Sequence, residues 1–517
     1  MTPFSILFPA GAEGDAARVR EEPEFFRDIN LDQVVASVTA RKKDFDLKPL
    51  FYSPGCNKQT VVYRQAVMRD LEDRELLKQA DAFSRQMLDI ERLVTSLLKP
   101  SDWSKQGIGY LRMGYFLEAV LNYRWTLERF GSDLKSANLQ SAGLQSAREY
   151  VADYLSSEAL AAVWREAEDV KLAMSHVKWC MLIKNGTIKV LKYEGETDYT
   201  RDIVASFERF RQGAVNSYLK KIPEETCAEH VEEGVLGLVA NIFPDAFSML
   251  DRFVQKHRSF LDETIVGFSK DLQFYISYLE YIAPLKAAGL PFCYPEVTPE
   301  AKNIHSIDGF DIALAAKMIP QGDPIVLNDF HLEEGERVIV VSGPNQGGKT
   351  TFARAFGQMH FLASLGCPIP GREACLFLFD NMFTHFEREE RVESLNGKLK
   401  SELIRIHDIL ERATASSIVI INEILASTSL NDGVAIGKSL MDIILRKSLI
   451  CVWVTFLDEL ASGNAAVVSM VSTVVPENPT LRTFRIVRKP ADGLAYAMAI
   501  AEKYGLTYRS IRGRIAS

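Results

Sequence analysis

The sequence predicts an α/β domain, a mostly parallel sheet with flanking helices, preceded by a mainly helical region that carries a small β insertion. Three observations lead there. Beyond about residue 304, short β-rich runs alternate with helix-patterned stretches, as in ERVIVV, TTFARAFGQMHFLASLG, SIVIINE, DGVAIGKSLMDIILRK and LICVWVTF. That alternation is how a parallel sheet is wound, because parallel neighbours need a crossover that a helix supplies. From about 60 to 135, apolar residues recur at three and four with charges between them, as in RQAVMRDLEDRELLKQADAFSRQMLDIERLVTSLL, which is one buried face of a helix. Between about 170 and 205, VKWCMLIKNGTIKVLKYEGE places Asn185 and Gly186 between two strand-like runs, a hairpin signal.

Composition bounds the rest. With 517 residues, 47% hydrophobic and 25% charged, the chain is long enough for two to four domains, each with its own core. A net charge of -8 excludes a protein that coats nucleic acid through bulk charge, so any DNA contact is a local patch. Arg41, Lys42 and Lys43, or Arg509, Arg512 and Arg514, are candidate phosphate contacts, but they are few and dispersed and read better as ordinary solvated charges. The seven cysteines contain no C-x-x-C pair, which fits reduced thiols in the cytoplasm. The opening MTPFSILFPAGAEG has no basic leader, and no later stretch holds the roughly 18 uninterrupted apolar residues of a membrane span. No membrane partner is expected.

The expected organisation is an N-terminal arm at 1–50, a helical core and lever domain at 51–303 with its strand-bearing insertion near 170–205, and the α/β domain at 304–517. Pro-rich LPFCYPEVTPEAKN at 290–303 marks the boundary. Helical patterning resumes from about 205 to 287, and DRFVQKHRSFLDETIVGFSKDLQFYISYLEYIAPLKAAG is long enough for a lever. Tyr110, Tyr115, Phe116, Tyr123 and Trp125 offer a base-stacking surface in principle, but helix-spaced aromatics are more often core, and that is the expectation here.

The chemistry concentrates in VIVVSGPNQGGKTT. Gly343, Gly348, Lys349 and Thr350 have G-x-x-x-x-G-K-[ST] spacing, directly after a strand and before a helix. Glycines turn backbone N–H groups toward phosphates, the helix N-terminus adds positive potential, Lys349 bridges phosphates, and Thr350 offers its hydroxyl to Mg²⁺. Pro344, Asn345, Gln346, Gly347 and Thr351 complete the nucleotide-binding stretch. With no N/T-K-x-D guanine-reading motif following, ATP with Mg²⁺ is the expected ligand.

GPNQGGKTT, with Pro and Asn inside the loop, resembles the P-loop ATPase domain of the MutS family of DNA mismatch and recombination proteins. The resemblance covers about 320 to 517 and, less specifically, 50 to 300. In DPIVLNDFHLEEGERVIVVSGPN it implies that Ile325, Val326 and Asn328 flank the adenine. In INEILASTSLNDG it implies Asn422 at the metal position, Glu423 as the water-positioning acid, and Ser427, Thr428, Ser429 and Asp432 in a dimer loop. In KPADGLAYAMAIAEKYGLTYRSIRGRI it implies helices that pack two subunits together, hence a homodimer. No Gly-x-Phe-Tyr-Glu wedge is present, so the mismatch-reading domain is expected to be missing, and no nuclease-like tail follows. FEREERVESLNGKLKSELIRIHDIL stands where ABC-type relatives carry Leu-Ser-Gly-Gly. Its Ser394, Asn396 and Lys398 are either contacts to a partner's nucleotide or part of a solvated, charge-patterned helix.

Two positions depart from the family pattern. Asn422 replaces the metal-side Asp, and Phe456 in WVTFLDELA replaces a His that senses the γ-phosphate. An amide contributes no charge to a cation's surroundings, and a phenyl ring neither donates nor relays a proton. Glu423 and Lys349 remain as catalytic residues, Thr350 and Asn422 as the metal side, with Asp458 or Glu459 able to supply lost charge. The resemblance thus implies a dimeric, ATP-gated clamp on a DNA structure rather than a mismatch, with slow hydrolysis. The alternative is a nucleotide-switched dimeric interaction protein with little turnover and no DNA ligand.

Overall fold

The computed structural model of the chain describes residues 4–11, 21–53, 57–98, 106–184, 187–195, 228–387, 398–425, 428–491, 508, 511 and 512. The chain forms two compact units, one built mainly on residues 78–137 and 146–269, the other on 4–77, 138–145 and 270–517.

The first unit is helical, with long helices Gln106–Ser136 and Glu158–Ser175 and the hairpin β1 (Trp179–Lys184) and β2 (Thr187–Lys192). The strands pair antiparallel, with Lys184 opposite Thr187, as the Asn-Gly signal requires; residues 185 and 186 themselves lie outside the described residues. Two of the five helix-spaced aromatics, Phe116 and Tyr123, are buried, while Tyr115 and Trp125 are exposed. The expected lever does not run unbroken. Helix Pro244–Lys256 ends, and helix Glu263–Ala287 begins afresh. Between them Phe260 packs edge-on against Phe116 and Tyr123, and Asp262 accepts the Ile265 N–H at 2.9 Å. A buried aromatic and a new N-cap override the continuous helical pattern.

The second unit holds the α/β fold. It contains β3 (Phe292–Cys293), β4 (Glu296–Thr298), β5 (Ile304–Gly309), β6 (Asn328–Leu332), β7 (Val338–Ser342), β8 (Ile369–Pro370), β9 (Glu373–Phe377), β10 (Met382–His385), β11 (Ile418–Asn422), β12 (Ile450–Val454), β13 (Val467–Val475) and β14 (Asn478–Arg488). Six strands form the main sheet in the order β10-β11-β12-β7-β13-β14, all parallel except the last pair. β7, β11 and β12 are buried along their whole length, which is why they read as unbroken apolar runs rather than alternating ones. Val338, Val340, Val419, Ile421, Cys451 and Trp453 pack on one face with helices Lys398–Arg412 and Leu430–Arg446. Helix Lys349–Ser364 packs on β11 and β12. A second sheet, β4-β9-β5-β6, includes β4 from the Pro-rich stretch, so that stretch is built into this unit.

The opening segment belongs to the same unit. Ile6 and Leu7 are buried, and Arg64 Nε donates to Leu7 O at 2.9 Å. Farther on, Arg354 Nε donates to Asp28 O at 3.0 Å. Thr384 Oγ1 donates to Asp28 Oδ2 at 2.6 Å, with Arg405 Nη2 on the same oxygen at 3.2 Å. Lys42 is buried and pairs with Glu280 at 3.4 Å, so it is a structural cation rather than a free phosphate contact.

Gln358 ties this segment to the sheet. Its Nε2 donates to Ile29 O and Asp311 Oδ1, both at 2.8 Å, and its Oε1 accepts the Ile312 N–H at 2.9 Å. All of this is buried, and burial pushes the Asp311 carboxyl up while the Gln358 bond opposes the shift. Replacement Gln358→Leu leaves three buried polar groups without that partner, and we expect a loss of about 2–4 kcal/mol in urea unfolding. An effect under roughly 0.5 kcal/mol would mean the groups re-pair locally.

Buried His360 and His385 are both held down to about 4 by burial. Their folded values lie below the unfolded one, so stability is full above about pH 6.5 and is lost as pH falls toward 4, by up to roughly 3 kcal/mol per histidine. Unfolding free energies measured between pH 7 and 4.5 should show this slope, reduced in His360→Met.

Candidate functional site

Register gathers the site. Val341 pairs with Val454 and Ser342 with Val471, while Asn422 pairs with Val454. The residues that follow β7, β11 and β12, and those at the middle of β13, therefore meet at one edge of the sheet. Ligands of open α/β sheets bind beyond the carboxyl ends of such strands.

Gly343 to Gly348 make the turn from β7 into helix Lys349–Ser364. Gly343 has φ +112°, and a Cβ there would come 2.9 Å from the Ser472 carbonyl oxygen. A Cβ on Gly347 would stand 2.2 Å from Ser472 Oγ, the atom that donates to Gly347 O at 2.7 Å. Gly348 caps the helix at φ +90°, and Gln346 also takes a left-handed conformation. The loop's glycines are thus set by β13 as well as by the turn.

Lys349 is buried, with Nζ donating to Gly343 O at 3.0 Å and Pro344 O at 3.1 Å. Burial holds its ammonium below the usual lysine value, Glu423 and Asp458 pull it back up, and Arg482 pushes it further down. Thr350 Oγ1 donates to Asn422 Oδ1 at 3.0 Å. Glu423 follows with φ +56°, its N–H bonded to Val454 O at 2.9 Å. Burial raises the Glu423 carboxyl, Lys349 lowers it and Glu387 raises it. A left-handed glutamate costs about 1–2 kcal/mol, and here that conformation puts its side chain on the cavity beside the loop.

That cavity has a volume of about 420 Å³ and runs from Gln346, Gly347, Gly348, Lys349, Thr350 and Thr351 to an apolar end. Phe310, Leu314, Ile325, Val326, Met359 and Phe484 line this end. Asn328 borders it, but its amide is committed: Nδ2 donates to Phe484 O at 3.1 Å, and Oδ1 accepts the Ile486 N–H at 2.7 Å. Asn328 thereby holds the bend in β14 where Phe484 takes φ +57°. Gly343, Pro344 and Asn345 face Ser472, Lys349 and Arg482 instead; Arg482 Nε donates to Asn345 O at 3.1 Å. Phe484, Ser472 and Arg482 were not legible in the sequence, where β13 and β14 read only as strands.

The remaining expected residues divide. Ser429 caps helix Leu430–Arg446, donating to Asp432 Oδ2 at 2.7 Å, so this pair has a structural use. Thr428 N donates to Leu425 O at 3.4 Å. Ser394, Asn396 and Ser427 lie outside the described residues, as does nearly all of the expected C-terminal helical stretch, and Lys398 opens helix Lys398–Arg412.

The donors available to Mg²⁺ are the Thr350 hydroxyl, the Asn422 amide oxygen and the Glu423 carboxylate. Among the described residues no cluster of three His, Cys, Asp or Glu side chains could hold a metal ion. The set fits a cation held largely by water and phosphate oxygens, as Mg²⁺ usually is.

A glycine-rich turn between the central strand of a mostly parallel sheet and the following helix defines an α/β class with an anion-ready loop. The family model described as MutS domain V matches residues 339–512. Endonuclease MutS2 of Gemmatimonas aurantiaca is 29% identical over 189 residues, 36% of this chain and 23% of that protein. DNA mismatch repair protein MutS of Orientia tsutsugamushi is 27% identical over 220 residues, 42% and 24% of the two chains, and that of Chlorobium phaeovibrioides 26% over 310 residues, 59% and 33%. Residues 339–512 are thus similar to MutS domain V, and the chain's matches span a third or less of these relatives' lengths.

Gly343→Ala should destabilise the protein by about 2–3 kcal/mol, from left-handed strain plus a clash with backbone. Gly335→Ala is the control: φ there is +89° with nothing within 4 Å of the added Cβ, so about 1 kcal/mol is expected from strain alone. Equal melting-temperature losses would remove the Ser472 contact from the explanation.

Proposed function

We propose that this chain binds ATP with Mg²⁺ in the loop-and-cavity site and works as a dimeric, ATP-gated clamp on DNA in repair or recombination, with slow hydrolysis. The observation that carries the reading is the loop itself. Gly343 and Gly348 turn it at positive φ into a helix N-terminus, and its mouth opens on a cavity whose far end is apolar. Phosphate suits the first and a purine the second.

On this reading Ile325 and Val326, with Phe484, cover the base, and Asn328 fixes Phe484. Loop N–H groups and Lys349 hold phosphates, and Thr350 with Asn422 faces the cation. Bound Mg²⁺ would neutralise phosphate charge. Glu423 orients the attacking water from a partly buried position. Asn422 lacks the charge that would hold the cation firmly, so turnover is reduced more than binding. The α/β part at 304–517 carries the nucleotide and the dimer contact, and the helical part at 51–303 carries DNA. The names of the relatives, DNA mismatch repair protein and endonuclease, support DNA as the partner. No single helix among the described residues is long and apolar enough to cross a membrane.

The second reading, a nucleotide-switched interaction protein without DNA, is favoured by the net charge of -8 and by Asn422. ATP hydrolysis by the purified protein, with and without branched and linear DNA, separates the two. Turnover that rises with DNA and falls at least tenfold in Lys349→Ala and Glu423→Ala supports the clamp. Asn422→Asp should raise the rate several-fold with little change in ATP affinity. ATP binding without Lys349-dependent turnover or DNA binding would leave the second reading.

A further inference from the structure

The Lys349 ammonium has three protons to place. Two go to the Gly343 and Pro344 carbonyls, at 3.0 and 3.1 Å. The remaining side of the charge is met by an aromatic ring: Nζ lies 4.3 Å from the centroid of Phe456. That ring is not core. Phe456 is 47% exposed, so hydrophobic burial alone does not hold it over the lysine. Its backbone, by contrast, is fixed on the N-terminal side. Thr455 is buried, its N–H donates to Val341 O at 3.1 Å, and its Oγ1 accepts the Leu457 N–H at 3.0 Å. The pairing of β12 with β7 thus delivers a phenyl ring to the lysine of the glycine loop.

We propose that Phe456 is a latch on Lys349: its ring face holds the ammonium in the loop-bonded position, and an anionic ligand must draw the lysine off the ring to engage it. The proposal rests on the nucleotide reading of this site. The ring's quadrupole presents negative potential to the cation, an attraction that strengthens as water is excluded. A phosphate carries full charge and wins at saturation, so the latch does not close the site. It lowers affinity and slows loading, because the fraction of molecules with a free lysine limits capture. Phe456 acts on the ligand only through Lys349 and is therefore a positioning residue.

The test separates ring electrostatics from ring bulk. Phe456 is replaced in the full-length protein by mono-, di- and trifluorophenylalanine, which keep the shape and progressively cancel the quadrupole. Phe456→Leu and Phe456→Trp extend the series at either end. Association rate and Kd are measured for ADP and for ATP with Mg²⁺ by stopped flow and calorimetry. The expected result is tighter and faster binding with each fluorine, about two- to thirtyfold between Phe and the trifluoro ring or Leu, and weaker binding with Trp. In the nucleotide-free protein, the Lys349 ε-methylene resonances should be shifted upfield by the ring and should lose that shift in Phe456→Leu. A flat fluorine series overturns the proposal and leaves the nucleotide reading intact. So does a change seen only with Leu, which would assign Phe456 a purely steric part. If neither nucleotide binds any form, including wild type, the reading beneath the proposal fails, and the proposal fails with it.

Discussion

Parallel pairing around β7 is the constraint on which the site depends. Antiparallel neighbours would have sent the ends of β11, β12 and β13 to opposite edges of the sheet. Parallel ones place Asn422, Phe456 and Ser472 around the turn that follows Ser342. The apolar run of each strand is what makes this possible, because only strands covered on both faces sit in the middle of such a sheet. The glycines then follow from β13. With Ser472 packed against Gly343 and Gly347, no Cβ fits at either position, and the loop's composition is a packing requirement as much as a conformational one.

Within that frame, three polar side chains near the loop are already engaged. Lys349 is bonded to loop carbonyls, Thr350 to Asn422, and Asn328 to β14. A ligand that enters exchanges these bonds rather than filling unmet ones, and such exchange is close to neutral in hydrogen-bond energy. Affinity must then come from charge at the loop and from apolar area at the far end of the cavity. This favours a ligand that carries both, which a nucleotide does and inorganic phosphate does not.

Much of this was legible in the sequence. The alternation after residue 304, the hairpin around Asn185, and the placement of Lys349, Thr350 and Glu423 at one edge followed from local patterns that a sheet and a turn impose. What escaped it was non-local. Phe484 reaches the cavity only because β14 bends where Asn328 grips it. Phe260 breaks a helical pattern because two aromatics distant in sequence receive it. Ile6, Asp28 and Ile29 look like an arm in one dimension, and they become part of the second unit through Tyr275, Arg405 and Gln358. No spacing rule encodes such contacts.

Asn422 and Phe456 are best understood together. A buried ammonium needs compensation, since an unpaired cation in a low-dielectric setting is among the most expensive things a fold can contain. A carboxylate at position 422, bonded to Thr350 next in sequence to Lys349, would supply some of that compensation. The amide supplies none. Glu423 and Asp458 still raise the lysine's proton affinity, but Glu423 is itself partly buried and faces Glu387. The Phe456 ring adds a neutral source of negative potential at 4.3 Å, one that steadies the ammonium without the desolvation that a second buried acid would incur. The two departures from the family pattern thus have one electrostatic consequence: less anionic charge beside the loop, and a lysine stabilised by carbonyls and a ring. On the nucleotide reading proposed above, such a loop organises a metal less, which lowers turnover.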